Sequence, residues 1–212
     1  MAFSADGRLM LVMQADPPCL VVWHAEHDVP VHTITPATRD GRIAARVAAL
    51  RTAVLRRSFI VAPADLPELW EISYDPKAEE IYDGLVHDYR LGEGVPRRGY
   101  LGLRRTALPE PLADFVLDED EAEAWGLAPP PPAGSGEGQV INLDVRRRVA
   151  VEPAARMQAA MQALRDSRDL RARGAQAQAA VQMRAPSPLA DLAQKRSASR
   201  PWPCAAPKVP GP

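Results

Sequence analysis

Short runs of apolar residues recur along the first two thirds of the chain, and turn residues separate them. The run Arg8–Gln14 is almost continuously apolar, which is typical of a strand that is covered on both faces. Strands at intervals of about 8–12 residues predict an all-β fold, either a sandwich, a barrel or a propeller. The further predicted strands are Cys19–His24, Val29–Thr35, Arg46–Leu50, Ser58–Ala62, Leu69–Tyr74, Tyr82–Arg90, Tyr100–Leu108, Phe115–Leu117 and Val140–Val145.

The strand pattern weakens towards the C-terminus. Ala128–Gly138 is rich in proline, glycine and serine, which is typical of a linker. A helix is predicted over residues 154–180 because Met157, Met161 and Leu164 recur at helical spacing. Ser187–Pro212 has six prolines and no periodicity, and we interpret it as disordered. The predicted organisation is a β domain over residues 1–148 and a tail over residues 149–212.

The charge is divided between these two regions. Residues 1–150 carry 16 basic and 23 acidic residues, a net charge of −7, whereas residues 151–212 carry 10 and 4, a net charge of +6. The total of −1 gives no case for a nucleic-acid partner. No apolar run approaches the roughly 18 residues of a membrane span, and the N-terminus shows no signal-peptide pattern.

The most specific stretch is Asp65–Gly94, with the sequence DLPELWEISYDPKAEEIYDGLVHDYRLGEG. Its LWEISYDP and GLVHDY segments closely resemble the cytochrome d1 heme-domain family. The resemblance covers about residues 2–148 and is nearer to the dehydrogenase branch of heme d1 biogenesis than to the respiratory nitrite reductases. Shorter segments agree in the same order along the chain: Ser4–Arg8, Arg46-Val47, Ser58–Val61 and Gly138–Arg146.

The resemblance implies an eight-bladed β-propeller that holds heme d1 on its axis. The nitrite reductases of the family reduce nitrite to nitric oxide on this heme during denitrification. The biogenesis branch instead oxidises a propionate side chain of the heme d1 precursor. Both branches are periplasmic oxidoreductases and often use a c-type heme as electron partner. The chain has no C-x-x-C-H motif, so it cannot attach a c-type heme covalently.

One propeller blade takes roughly 40–50 residues, so the matching part of the chain accounts for about three blades. The predicted fold is therefore a partial propeller with a helical or disordered tail. A partial ring leaves two terminal blades unpaired, which favours aggregation or pairing with another chain. Beyond Val149 the Ala, Arg, Pro and Gln content departs from the family and contains no histidine. We interpret the chain as a truncated fragment whose unrelated tail is a frameshift product or an erroneous gene end.

His87 is predicted to be the catalytic residue and to bind the cofactor. In the family, a histidine in this Val-His-Asp context lies on the distal face of heme d1, where an imidazole can donate a proton to a substrate oxygen or a tetrapyrrole carboxylate. Asp88 is suited to orient the ring. The alternative is a histidine at a strand end that bonds to the backbone.

Arg42 is predicted to be a second cofactor-binding residue. It stands four residues before Arg46-Val47, where the nitrite reductase branch has a second distal histidine. This difference argues against nitrite reduction with two distal histidines. A guanidinium group at this position can pair with a tetrapyrrole carboxylate, and the alternative is a solvated loop arginine.

The other candidate residues are given structural interpretations. His24, Glu26, His27 and His32 suggest a metal site, but His24 and His27 point to opposite faces of an extended strand and need a turn in order to converge. We therefore predict no metal site. Three tyrosines and one tryptophan are suited to contact a tetrapyrrole but are more typical of packing: Tyr74, Tyr82, Tyr89 and Trp70. The acidic run Asp118–Glu123 is interpreted as a solvated turn without a partner.

Two functions remain open at this point. The first is a heme d1-binding oxidoreductase module that depends on a tetrapyrrole, the periplasm and a partner that supplies the remaining blades. That partner is either a second copy of the chain or another protein, and a c-type cytochrome would be the electron partner. The alternative is a catalytically inert fragment that acts at most as a protein-interaction module. Whether the chain is itself an enzyme is left open.

Overall fold

The computed structural model describes residues 1–82 and 96–182, with side chains described as far as Arg173. These residues form three four-stranded antiparallel sheets and one long helix. Sheet I consists of β1 (Ala2–Phe3), β2 (Leu9–Ala15), β3 (Pro18–His24) and β4 (Val29–Ile34). Sheet II consists of β5 (Val47–Ala53), β6 (Ser58–Pro63), β7 (Glu68–Ser73) and β8 (Leu103–Ala107). Sheet III consists of β9 (Asp114–Leu117), β10 (Glu123–Leu127), β11 (Gly138–Asn142) and β12 (Arg147–Glu152), and the helix α1 follows at Ala154–Gln182.

In each sheet the four strands lie side by side in the order of the sequence. The central strands are the most apolar, and all six residues of β6 are buried because sheet II is covered on both faces. Most of the predicted strands are found within one to three residues of their expected bounds. The prediction for Tyr82–Arg90 falls almost wholly outside the described residues. The short strand β1 and the strands β10 and β12 escaped prediction.

Sheets I and II pack face to face through large apolar side chains. Sheet I contributes Leu11, Leu20 and Val22, and sheet II contributes Phe59 and Trp70, all with no more than 1% of their surface exposed. A hydrogen bond joins the first strands of the two sheets: the side-chain hydroxyl of Thr52 in β5 donates to the carbonyl oxygen of Phe3 in β1 at 2.8 Å.

Sheets II and III pack in the same manner, and their first strands also meet. Arg51 of β5 donates a hydrogen bond of 2.7 Å to Asp114 of β9. The strands β1, β5 and β9 therefore form a common inner edge from which the three sheets radiate, as blades do around a propeller axis. The predicted class is confirmed: the chain is an all-β partial propeller of three blades.

The helix α1 lies on the face of sheet III that points away from sheet II. Met157 and Met161 are buried against Val116 of β9 and Val140 of β11. The approach is close, since a Cβ added at Gly138 would lie 2.5 Å from the Cβ of Met157. The helix predicted over residues 154–180 is thus present, and it covers one of the two terminal faces expected to be unpaired. The strand β12 crosses the boundary predicted at residue 148. Ser187–Pro212, predicted to be disordered, lies outside the described residues.

The proline-rich segment Ala128–Gly138 connects two neighbouring strands of one sheet and does not link two domains, so the interpretation as a linker was wrong. It runs from β10 to β11. Two backbone hydrogen bonds hold it, from the amide of Ala128 to the carbonyl of Glu137 and from the amide of Gly136 to the carbonyl of Pro129. A Pro- and Gly-rich composition is as typical of a tight loop as of a linker, and only the strand β10 before it distinguishes them.

The helix α1 is the one helix in the described part of the chain, and it is not apolar enough over any stretch to cross a bilayer.

Candidate functional site

Arg42 lies in the connection from β4 to β5, which leads directly into the inner edge of sheet II. The backbone amide of Arg42 donates to a carboxylate oxygen of Asp40 at 3.2 Å, and its guanidinium pairs with the same carboxylate at 3.4 Å. The Thr38 hydroxyl, which also donates to Asp40, lowers the pKa of that carboxyl. The Arg42 side chain is 83% exposed, so its guanidinium is accessible to a ligand, and the restraint found among the described residues is a surface ion pair.

The position of His87 lies outside the described residues, so its predicted role stays a prediction. The same is true of Asp88 and Tyr89. The described residues on either side meet in an isolated bridge, in which the backbones of Ile81 and Arg97 exchange two hydrogen bonds of 2.8 and 2.9 Å. This bridge lies at the end of sheet II where β7 ends, whereas Arg42 lies at the end where β5 begins. Because β5 and β7 run in the same direction, the two ends are opposite.

Beside this bridge a groove of about 600 Å³ opens between sheets II and III. Its volume is within the range of small-molecule sites, and its lining mixes basic and acidic groups. Arg56 lines the groove and is held by Glu71 at 3.2 Å and by Asp144 in the turn between β11 and β12. The lining residues are Arg56, Glu79, Glu80, Tyr82, Arg104, Leu143, Asp144 and Arg146.

A second groove of about 520 Å³ lies between β4 and the chain that enters β8. Arg97, Arg98 and His32 line it, and the Arg98 guanidinium stacks over the Tyr100 ring at 5.0 Å. Partial desolvation of its ring in this groove lowers the pKa of His32, which favours the neutral ring. The sequence interpretation did not single out Arg97 and Arg98, although two adjacent arginines near a tyrosine were the available signal.

The two described tyrosines among the candidates have different environments. Tyr74 is packed against Phe59 between sheets I and II, its hydroxyl accepts a hydrogen bond of 3.1 Å from the amide of Ala5, and burial raises its pKa. Trp70 is fully buried, and the Arg105 guanidinium lies 4.9 Å from its ring centre. Tyr82 is 55% exposed on the first groove, and its hydrogen bond to Glu80 raises its pKa. Of these three residues, Tyr82 alone is accessible to a ligand.

His24, Glu26 and His27 come together at the turn between β3 and β4. Their ligand atoms all lie within 4.8 Å of one another, and the two imidazole rings stack at 4.4 Å with 19° between their planes. The strand ends at His24, and the turn that follows closes through a hydrogen bond of 3.0 Å from the amide of Asp28 to the carbonyl of His24. Asp28 adopts a φ of 54°, which reverses the chain. The turn that the sequence interpretation required for convergence is present.

The acidic run Asp118–Glu123 is not simply a solvated turn, and this interpretation was wrong. Glu121 is 4% exposed and accepts a hydrogen bond of 2.6 Å from the amide of Leu55 in sheet II. The same carboxylate pairs with Arg168 of α1 at 3.2 Å. Glu119 pairs with Arg171, so the basic helix docks on the acidic turn. The charge asymmetry of the sequence was the signal for this contact.

Comparisons with known proteins agree with this architecture. Residues 1–83 match the family described as the cytochrome D1 heme domain. Over 157 aligned residues the chain is 32% identical to dihydro-heme d1 dehydrogenase of Pseudomonas aeruginosa. The aligned region covers 74% of this chain and 27% of that protein. The solved structure of dihydro-heme d1 dehydrogenase NirN in complex with DHE is similar with a TM-score of 0.56 and 32% identity, over 72% of this chain and 27% of that one. Hydrazine synthase of Kuenenia stuttgartiensis is less similar, with a TM-score of 0.46 and 9% identity over 71% of this chain and 34% of that one.

Three radiating four-stranded sheets with a common inner edge define a protein of the β-propeller class. Within that class, the chain belongs to the cytochrome d1 heme-domain family, as its resemblance predicted. The chain spans about a quarter of the length of the relatives it matches.

Proposed function

We propose that the chain supplies three blades of a heme d1-binding oxidoreductase domain that acts on a tetrapyrrole of the dihydro-heme d1 type. The observation that carries the proposal is the 32% identity, over 72% of this chain, to a dehydrogenase whose solved structure is a complex with DHE. By the same family resemblance, the proposal includes a periplasmic location and a role in denitrification.

The described residues are suited to one wall of such a site. The inner edge formed by β1, β5 and β9 is the part of a propeller that faces the axis, and the three sheets make up only part of the ring. Arg42 offers an accessible guanidinium, which favours a carboxylate-bearing ligand. The remaining wall would come from a longer polypeptide, from another protein or from a second copy of the chain.

In this proposal the tetrapyrrole supplies the redox chemistry, and the chain binds the ligand and accepts a proton from it. Dehydrogenation removes two electrons and two protons from one side chain of the ligand. His87 would accept one of these protons, the second would pass to solvent, and Arg42 would hold a carboxylate of the ligand. The two electrons would pass to a c-type heme, for which this chain itself has no covalent attachment motif.

A titration with dihydro-heme d1, followed by visible absorption, tests the proposal. We expect saturable binding by the wild type. Arg42→Ala should weaken binding by about tenfold, because it removes one charged hydrogen-bond partner. Arg39→Ala is the matched control, since Arg39 is an exposed arginine of the same connection. His87→Ala should alter the spectrum of the bound ligand, and His32→Ala is its control.

Arg42 lies in the connection that enters β5, and His87 lies outside the described residues, so the two variants test the two predicted contacts separately. A spectral change on His87→Ala with no effect of Arg42→Ala would remove Arg42 from the site. No saturable binding by the wild type would contradict the proposal and would leave a protein-interaction module as the alternative.

A further inference from the structure

The turn between β3 and β4 carries three side chains with the donor atoms of a metal site, apart from any tetrapyrrole site. His24 closes β3, Glu26 and His27 follow in the turn, and their ligand atoms lie within 4.8 Å of one another. Two imidazole nitrogens and one carboxylate oxygen are a donor set that binds Zn²⁺ in proteins, with a fourth position open to water.

The environment of His24 is a second observation in favour of a ligand. Its Nδ1 atom is buried and has no hydrogen-bond partner among the described residues. An unpaired buried nitrogen costs free energy, and coordination would recover it.

The side chains are placed so that they can close on an ion. A Zn–N bond is about 2.0 Å long, so donor atoms that lie within 4.8 Å of one another must still approach each other before they bind one ion. A metal bound by two imidazoles lies close to the plane of both rings, whereas these rings are stacked with 19° between their planes. The exposed His27 ring therefore has to rotate out of the stack, and its exposure permits this rotation. The backbone of the turn is held independently, by hydrogen bonds from Ala25 to Arg8 and from Asp28 to His24.

We propose that His24, Glu26 and His27 form a binding site for a single Zn²⁺ ion at the end of sheet I. The site would join the end of β3 to the turn that follows it, and its fourth ligand would be water. Because all three ligands belong to one hairpin, the site does not depend on the remaining blades of a propeller or on the tetrapyrrole.

Calorimetric titration of the full chain with Zn²⁺, and visible absorption with Co²⁺ as a spectroscopic substitute, test this proposal. We expect one equivalent of Zn²⁺ to bind and Co²⁺ to show the absorption bands of a four-coordinate complex. Partners outside the direct ligands already change metal affinity by about 10–100-fold. The loss of a direct ligand in His27→Ala or Glu26→Gln should therefore weaken binding by at least about tenfold. Both side chains are exposed, so both variants should fold. Far-ultraviolet circular dichroism checks that they keep the secondary structure of the wild type.

His32→Ala is the matched control, because His32 is an exposed histidine of the adjacent strand β4 and does not belong to the cluster. It should leave Zn²⁺ binding unchanged. A nuclear magnetic resonance titration adds a second measurement, in which the ring protons of His24 and His27 should shift together while those of His32 do not. Binding that is equal in wild type and His27→Ala, or absent from the wild type, would overturn the proposal.

Discussion

The interface between sheets I and II and the interface between sheets II and III use different side chains. The first is filled by large rings, among them Phe59, Trp70 and Tyr74. The second combines aliphatic side chains and the ring of Phe115 with small residues such as Ala53 and Ala62, and charged groups bridge its ends. The bridges across the second interface are Arg51 with Asp114, Arg56 with Asp144, and Glu121 with the amide of Leu55.

The difference shows two ways to join blades of similar topology. Large rings bury more apolar surface, and the stability they contribute depends on volume and shape. The second interface has fewer large rings, and more polar contacts cross its rim, so these contacts contribute a larger share of its stability. The first interface should therefore be sensitive to cavities and insensitive to salt, and the second should respond to changes in charge.

Phe59→Ala should have the largest effect, because it opens a cavity in the first interface. Phe59 has no exposed surface and packs against Tyr74. We expect the free energy of unfolding to fall by about 3–5 kcal/mol, measured by urea denaturation, and the loss to be the same at low and high salt. Leu55→Ala is the control, because Leu55 is 68% exposed. A loss below about 1 kcal/mol would show that the first interface is not tightly packed.

Glu121→Gln tests the second interface and should have an intermediate effect. The change removes the charge that pairs with Arg168 and weakens the acceptor for the amide of Leu55. We expect the free energy of unfolding to fall by about 1–3 kcal/mol. The lower part of this range is expected because solvent screens the partly exposed Arg168. Glu119→Gln removes an exposed ion pair on the same turn and should cause no measurable change. Equal effects of the two substitutions would show that burial of Glu121 does not matter.

Tyr74→Phe should have the smallest effect on the free energy of unfolding at neutral pH. It separates the contribution of ring packing from that of the hydroxyl hydrogen bonds in the first interface. It keeps the ring and removes the hydroxyl that binds Ala5 and the carbonyl of Ala53, so we expect a loss of about 1 kcal/mol.

Burial raises the pKa of Tyr74 in the folded state, so the unfolded chain loses this proton first as the pH rises above about 10. The contribution of Tyr74 is therefore present below that pH and is lost above it. Wild-type stability should decline in that range, measured by urea denaturation, and Tyr74→Phe should decline less. Parallel pH profiles of wild type and variant would contradict a buried neutral hydroxyl.

The sequence by itself was sufficient for the features that depend on local pattern. Alternating apolar runs and turn residues predicted most of the strands, and helical spacing of Met157 and Met161 predicted α1. The LWEISYDP segment, read with its neighbours, predicted the family and through it the partial propeller. These features depend on residues that are close in sequence or on a family motif. They can therefore be recognised without knowing which strands and helices contact each other.

Only the tertiary structure decided the features that depend on contacts between distant residues. Glu121 is buried because sheet II and α1 meet at its turn, and nothing in the run Asp118–Glu123 marks one acid among several. The strand β12 is half exposed and carries arginines, so its composition does not predict a strand. It forms a strand because its backbone pairs with β11. His24 and His27 converge because the chain reverses at Asp28, where a φ of 54° is a property of the folded turn. In each case the sequence shows the residue type, but its contact partner is determined by how distant parts of the chain pack together.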